Sequence, residues 1–101
     1  MQPSSAKPRL MRETAETLAI QVLGFLAEDP RALNRFLDAS GLSAEQIRGA
    51  ARQPGFLAGV LEFVLGDERL LIAFAESAGI NPAEVARAAG ALGGHWERDV
   101  P

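Results

Sequence analysis

The chain resembles itself when residue 22 is placed over residue 60, and this similarity constrains the fold more than any other feature. The offset of 38 aligns residues 22–51 with residues 60–89, and ten of these 30 positions are identical. The identical pairs are Val22/Val60, Leu23/Leu61, Phe25/Phe63, Asp29/Asp67, Arg31/Arg69, Leu33/Leu71, Phe36/Phe74, Gly41/Gly79, Ala50/Ala88 and Ala51/Ala89. Composition alone gives roughly two or three identities over such a length. The pattern therefore predicts two copies of one structural unit.

The first boundary inside each copy is an aspartate that begins a helix. Asp29 is followed by Pro30, and aspartate before proline is typical of an N-cap with proline at the first helical position. Asp67 holds the matched position, in the middle of the most apolar stretch of the chain, residues 56–79. Charges at the centre of a bilayer span are costly, so this stretch is predicted to be two helices and no membrane span.

The second boundary is a glycine followed by a capping residue. Gly41 and Gly79 suit the left-handed backbone position that ends a helix. Ser43 and Asn81 then suit the N-cap of the next helix, and each has a glutamine or glutamate three residues later, as in a capping box. Each copy is therefore predicted to be helix, turn, helix, turn, helix.

These boundaries predict an all-α fold in which six short helices form two tandem three-helix repeats, offset by 38 in the numbering, in one orthogonal or antiparallel bundle. The expected helices span residues 12–28, 30–40, 44–52, 55–65, 68–78 and 82–92. The fourth has the broadest apolar surface and is expected to be central. Small residues on the third and sixth are expected to allow close approach to the two long helices. The expected organisation is a disordered basic tail (1–11), one helical domain (12–94, with repeats at about 12–53 and 54–94) and a C-terminal tail (95–101).

Composition excludes several classes of function. The chain has no cysteine and one histidine, so a thiolate metal site or thiol nucleophile is impossible, and no residue pattern indicates a catalytic, cofactor or metal site. A net charge of −3 argues against nucleic acid as a partner. Because no apolar segment follows the basic start, no secretory signal is expected. We therefore expect a cytoplasmic, noncatalytic protein.

Three segments, "TLAIQVLGFLAEDP", "FLDASGL" and "FLAGVLEFVLGDERLLIAFAESAGINP", resemble a family of small alphaproteobacterial proteins catalogued only as a domain of unknown function. The resemblance covers about residues 16–92. It implies a small, cytoplasmic, all-helical bacterial protein. It carries no activity, cofactor or site residue to these positions.

A helix-turn-helix for DNA is the alternative hypothesis, because a glycine turn joins two short helices in each copy. The side chains that could contact nucleic acid lie in the first copy: Gln46, Arg48 and Arg52. Helix pairs with a glycine cap are more often packing devices than DNA readers. The leading hypothesis is therefore an interaction module that binds a protein partner or forms a homodimer.

A candidate partner surface follows from comparing the two middle helices. Ile72 lies about 160° from Phe74 at 100° per residue, so it is predicted to point away from the core. Leu70 and Ala73 lie at its margin, and Trp96 in the tail is a further apolar contact candidate. We therefore predict a partner or homodimer surface at Leu70, Ile72, Ala73 and Trp96; the alternative is that the sixth helix or the C-terminal tail with Trp96 covers Ile72.

Overall fold

The structure, a computed structural model, describes the backbone of residues 6–92 and the side chains of residues 12–53 and 55–92. Within residues 6–92 the chain forms six α-helices and no β-strand, which confirms the all-α prediction. The helices are α1 (Ala6–Ala27), α2 (Pro30–Ser40), α3 (Ala44–Ala50), α4 (Pro54–Leu65), α5 (Glu68–Ala78) and α6 (Ala83–Ala91).

The predicted helix boundaries agree with these limits within two residues, except at the start of α1. This helix begins at Ala6 and not at Arg12, so residues 6–11, predicted to belong to a disordered tail, are helical. Pro8 does not prevent this, because it lies in the first turn, where a backbone N–H has no partner within the helix. Trp96 and the rest of the predicted C-terminal tail lie outside the described residues.

Aspartate side chains cap the starts of helices, and left-handed glycines end helices, at the positions that the sequence predicts. Asp29 accepts a hydrogen bond from the Arg31 backbone N–H at 3.1 Å. Gly41 and Gly79 have φ angles of 76° and 71°. Both glycines are therefore left-handed caps, as predicted, and this conformation is strained for any residue with a Cβ atom.

The capping box predicted at the start of α3 is also present. Ser43 Oγ accepts from the Gln46 backbone N–H, and Gln46 Oε1 accepts in return from the Ser43 backbone N–H at 2.9 Å. The capping box predicted before α6 is not formed: Asn81 Oδ1 accepts from the Ala83 backbone N–H at 2.8 Å, and α6 begins at Ala83 with Pro82, which has no side-chain cap hydrogen bond, as its N-cap.

The core lies where α1, α4 and α6 pack against one another. α4 also contacts α2 and α5, so the prediction that the fourth helix is central is confirmed. Among the described residues, every helix is too short or too polar to span a bilayer. The largest fully buried side chains are Val22, Leu26, Val60, Leu61, Val64 and Val85.

Three aromatic contacts join the first part of the chain, α1 and α2, to α4 and α5. Phe25 of α1 meets Phe74 of α5 edge to face, with ring centroids 5.5 Å apart. Phe36 of α2 meets Phe63 of α4 in the same manner at 5.3 Å, and also Phe56 at 5.7 Å. Edge-to-face rings gain energy beyond the area they bury. Each middle helix is thus held by the long helix of the opposite half.

The third and sixth helices are not packed alike. α6 buries Val85, Ala88 and Ala89, which confirms that its small residues allow close approach to α1 and α4. The same prediction is wrong for α3, since none of its residues is buried. The physical reason is that α3 has no second long helix beside it, because α4 begins only a few residues after α3 ends.

Candidate protein-interaction surface

The buried side chains of the described region are all apolar. Its acidic side chains form no cluster of three or more that could hold a metal ion. Catalytic acids and bases usually owe their shifted pKa values to burial beside a charged partner. The described residues therefore direct attention to the surface.

Asp67 is the most heavily bonded carboxylate that the structure describes. Its Oδ1 accepts from the backbone N–H groups of Arg69 at 3.1 Å and Leu70 at 3.3 Å, and its Oδ2 accepts from Arg35 Nη1 at 3.2 Å. The hydrogen bond from Leu70 is the largest cause that holds the pKa of Asp67 below its ordinary value, and Arg35 adds to it against an opposing loss of solvation. This group caps α5 and ties α2 to it, as a structural carboxylate does.

The predicted partner surface on α5 is only partly exposed. Ile72 is 43% exposed and points away from the core, as predicted. Ala73 beside it is exposed, whereas Leu70 is half-buried and packs against the core. Trp96 lies beyond residue 92, outside the described region. The structure therefore brings Ile72 and Ala73 together as a small apolar patch, the α5 patch.

The residues predicted to contact nucleic acid are all exposed. Gln46 has its carbonyl oxygen engaged in the capping box with Ser43. Arg48 lies beside Ala44 in a shallow recess of α3, and Arg52 follows the end of that helix. The structure thus leaves two arginines on or just after α3.

A larger apolar surface, which the sequence analysis did not predict, lies between α1, α2 and α3. It is a groove of about 380 Å³, called here the α1–α3 groove. All of its lining residues are apolar or glycine: Ile20, Leu23, Gly24, Ala27, Leu33, Ala44 and Ile47. Ile20 stands at its edge with 52% of its surface exposed. Exposed apolar surfaces of this kind often mark sites of protein interaction.

The surface at an offset of 38 from the groove is less exposed. Three of its residues, Ala58, Leu61 and Val85, are 6%, 0% and 0% exposed, and the other four, Glu62, Leu65, Leu71 and Pro82, are half-buried. α1 packs on both α4 and α6. Its residues Thr14, Ala15 and Leu18 lie directly beside α6. The α1–α3 groove is therefore more exposed than the surface that the offset of 38 matches to it.

One signal in the sequence could have indicated this groove. Ile20 precedes the aligned segments by two residues, and the matched residue is the much smaller Ala58. The larger side chain, Ile20, thus lies at the more exposed of the two matched positions. This could be seen only once the start of α1 was known to pack on the other half.

Residues 12–95 match the family described as "Protein of unknown function (DUF3572)". The chain belongs to this family. The match confirms the resemblance to a family of unknown function, and it includes the whole α1–α3 groove. No curated protein and no solved structure matches the chain. Any function must therefore be argued from the surface of the molecule.

Proposed function

We propose that this chain is a noncatalytic helical interaction module that binds a protein through the α1–α3 groove. One observation carries the proposal: the groove is apolar throughout and open, while three of the residues matched to its lining, Ala58, Leu61 and Val85, are buried. Laying the apolar face of a helix into such a groove is a common mode of protein recognition. The partner is then a helix of another protein or of a second copy.

The energy available at this surface supports a moderate affinity. Full burial of an isoleucine side chain contributes roughly 1.5–3 kcal/mol, and about half of Ile20 is still exposed. Closing the groove over Ile20 therefore adds roughly 1 kcal/mol from this side chain alone, and the half-buried Leu23, Leu33 and Ile47 add further area. Binding should thus depend strongly on Ile20.

The α5 patch is the second candidate for the contact surface. Ile72 and Ala73 support it by their exposure, with Leu70 at its inner margin and Trp96 as a further candidate. It offers less apolar surface than the groove, because Leu70 already packs on the core. We therefore place the main contact at the groove.

Two observations favour a protein over DNA as the partner. Gln46 is occupied by its capping box, and α3 has only seven residues, so few side chains are available to contact bases. Exposed Arg48 and Arg52 are what supports the DNA alternative. Binding of a fluorescent random duplex at low salt tests it, since phosphate contacts must give a salt-dependent signal.

We also infer that the molecule is a tandem repeat whose halves are exchanged by an approximate twofold axis. The aromatic pairs support this. At the offset of 38, Phe25 matches Phe63 and Phe74 matches Phe36, so the Phe25–Phe74 contact corresponds to the Phe63–Phe36 contact. Two surface grooves support it in the same way. One is lined by Gln21, Gly24, Phe25, Phe74, Ser77 and Ala78, and the other by the matched Gly59, Glu62, Phe63, Phe36, Ala39 and Ser40.

The proposed setting is the cytoplasm of a bacterium. The resemblance to small alphaproteobacterial proteins supports it, and the mild net charge of −3 suits a freely dissolved protein. Such a module would act by joining or covering other proteins.

A pull-down from the native cell extract, with three forms of the full chain, tests the contact surface. We expect a partner that the wild type and Ile72→Asn recover equally and that Ile20→Asp recovers at least about ten-fold less, because a charge cannot enter the apolar groove. If only Ile72→Asn fails to recover the partner, the contact lies at the α5 patch and not at the groove. Equal recovery by all three forms would contradict both surfaces.

A further inference from the structure

The α1–α3 groove carries both a recess and a projecting ridge. Ile20, Leu23, Gly24 and Ala27 are spaced i, i+3, i+4 and i+7 along α1, so they form one helical stripe at the groove. Leu33, Ala44 and Ile47 form the opposite wall. A surface that includes a helix ridge and a groove for a helix can be complementary to itself.

The charges around the groove are also complementary between two copies, because one wall is acidic and the other is basic. From Glu13 to Asp29, α1 and the turn after it contain four acidic residues and no lysine or arginine. Glu13 and Glu16 lie at i−7 and i−4 from Ile20, on the side of α1 that carries the stripe. Across the groove, α3 and the residues after it expose Arg48 and Arg52 against one glutamate.

We propose that a second copy of this chain closes the groove, in a twofold-symmetric dimer in which α1 of each copy lies in the α1–α3 groove of the other. Ile20 of one copy then enters the recess beside Ile47 of its partner, and the acidic stripe of α1 faces the arginines of α3. Within each chain Thr14, Ala15 and Leu18 of α1 lie beside α6, so the dimer gives α3 a neighbouring helix of the kind that α6 already has. This inference rests on the proposed function, because it names the partner of the same surface.

Because the contact rests on one apolar groove of about 380 Å³, we expect the dimer to form at micromolar and not nanomolar concentration. Sedimentation equilibrium of the full chain, from roughly 5 to 500 μM, measures this directly. The average mass of the wild type should rise from 10.7 kDa towards twice that value. A mass that stays at 10.7 kDa over the whole range would overturn the proposal.

Two substitutions locate the contact. Ile20→Asp should remain monomeric, because the charge would be buried in the apolar recess. Gly24→Gln should remain monomeric as well, since a side chain at this open position fills the groove. Gly24→Gln also serves as the folding control, because replacing a helical glycine should raise the melting temperature of the monomer.

Ile72→Asn is the matched control, because it removes the other large exposed apolar side chain of the described region. It should dimerise like the wild type. If Ile20→Asp and Gly24→Gln dimerise unchanged, the groove is not the dimer contact and the inference fails.

The failure of this inference can be told apart from that of the proposed function. A monomeric wild type whose pull-down partner is lost with Ile20→Asp shows that the groove binds a different protein, so only the dimer is excluded. If neither the mass nor the pull-down depends on Ile20, both proposals are wrong.

Discussion

α3 and α6 hold matched positions in the two halves of the chain, yet only α6 belongs to the core. Val85 of α6 is fully buried, whereas Ile47, its match in α3, is half-buried at the edge of an open groove. Ala88 and Ala89 are buried, and the identical Ala50 and Ala51 are not. Similar sequences thus have different packing, so the surroundings decide burial here.

The difference arises from the lengths of the two long helices. α1 has 22 residues and α4 has 12, and the additional turns of α1 lie at its N-terminal end. Thr14 and Ala15 of those turns lie beside α6. α4 cannot extend backwards in the same way, because the residues before it are needed to form α3 and the turn into Pro54. α6 therefore has a segment of α1 beside it, whereas α4 has no corresponding segment that could lie beside α3.

The sharpest test of this comparison places a charge at the two matched positions. Val85→Asp should destabilise the fold by about 3 kcal/mol or more, because the carboxylate would be buried without a partner. Ile47→Asp should cost less than about 1 kcal/mol, because the side chain can turn towards solvent. Urea unfolding at low protein concentration measures both. Equal losses would mean that α3 belongs to the core as α6 does.

Substitution of the two glycine caps should cost similar stability in the two halves. This contrasts with α3 and α6, the helices that follow them. Gly41→Val and Gly79→Val should each lower the free energy of unfolding by about 1–2 kcal/mol, because both require a left-handed backbone. The added Cβ meets no other atom within 4 Å at either site, so the loss comes from the backbone alone. Thermal unfolding followed by circular dichroism measures the change.

Gly24→Ala is the control for this pair. It also meets no atom within 4 Å, but it lies inside α1 with ordinary helical geometry, so it should stabilise the fold by up to about 1 kcal/mol. A loss of stability at Gly24, or no loss at either cap, would contradict the backbone explanation.

The smallest expected difference concerns the two aspartate caps. Asp67→Ala should destabilise the fold more than Asp29→Ala near neutral pH, because Asp67 has two backbone hydrogen bonds and an ion pair with Arg35. Since the folded-state pKa of Asp67 lies below its ordinary value of 3.8, its contribution is present above pH 3.8 and is lost as the pH falls through the lowered pKa. Urea unfolding of wild type and Asp67→Ala across this range measures the loss. If the difference in unfolding free energy between wild type and Asp67→Ala stays constant into strong acid, the predicted pH dependence is wrong.

Local chemistry explains why most of the fold could be predicted. Helix boundaries at Asp29, Gly41 and Ser43 depend on hydrogen bonds and backbone angles within a few residues, so the sequence around them was sufficient. The exposure of Ile72 followed from helical geometry in the same way. The α1–α3 groove could not be predicted, because it depends on which distant helix packs where.

By itself, the sequence determined the all-α class, the six helices and the left-handed glycines, since each follows from residue type and short-range spacing. Only the tertiary structure decided that α6 would be buried and α3 left at an open groove. Burial depends on the placement of residues far apart in the chain, here Thr14, Ala15 and Leu18 of α1 against α6. Two segments with similar residues therefore acquired different environments, and the exposed one, beside Ile20, is where we expect a partner to bind.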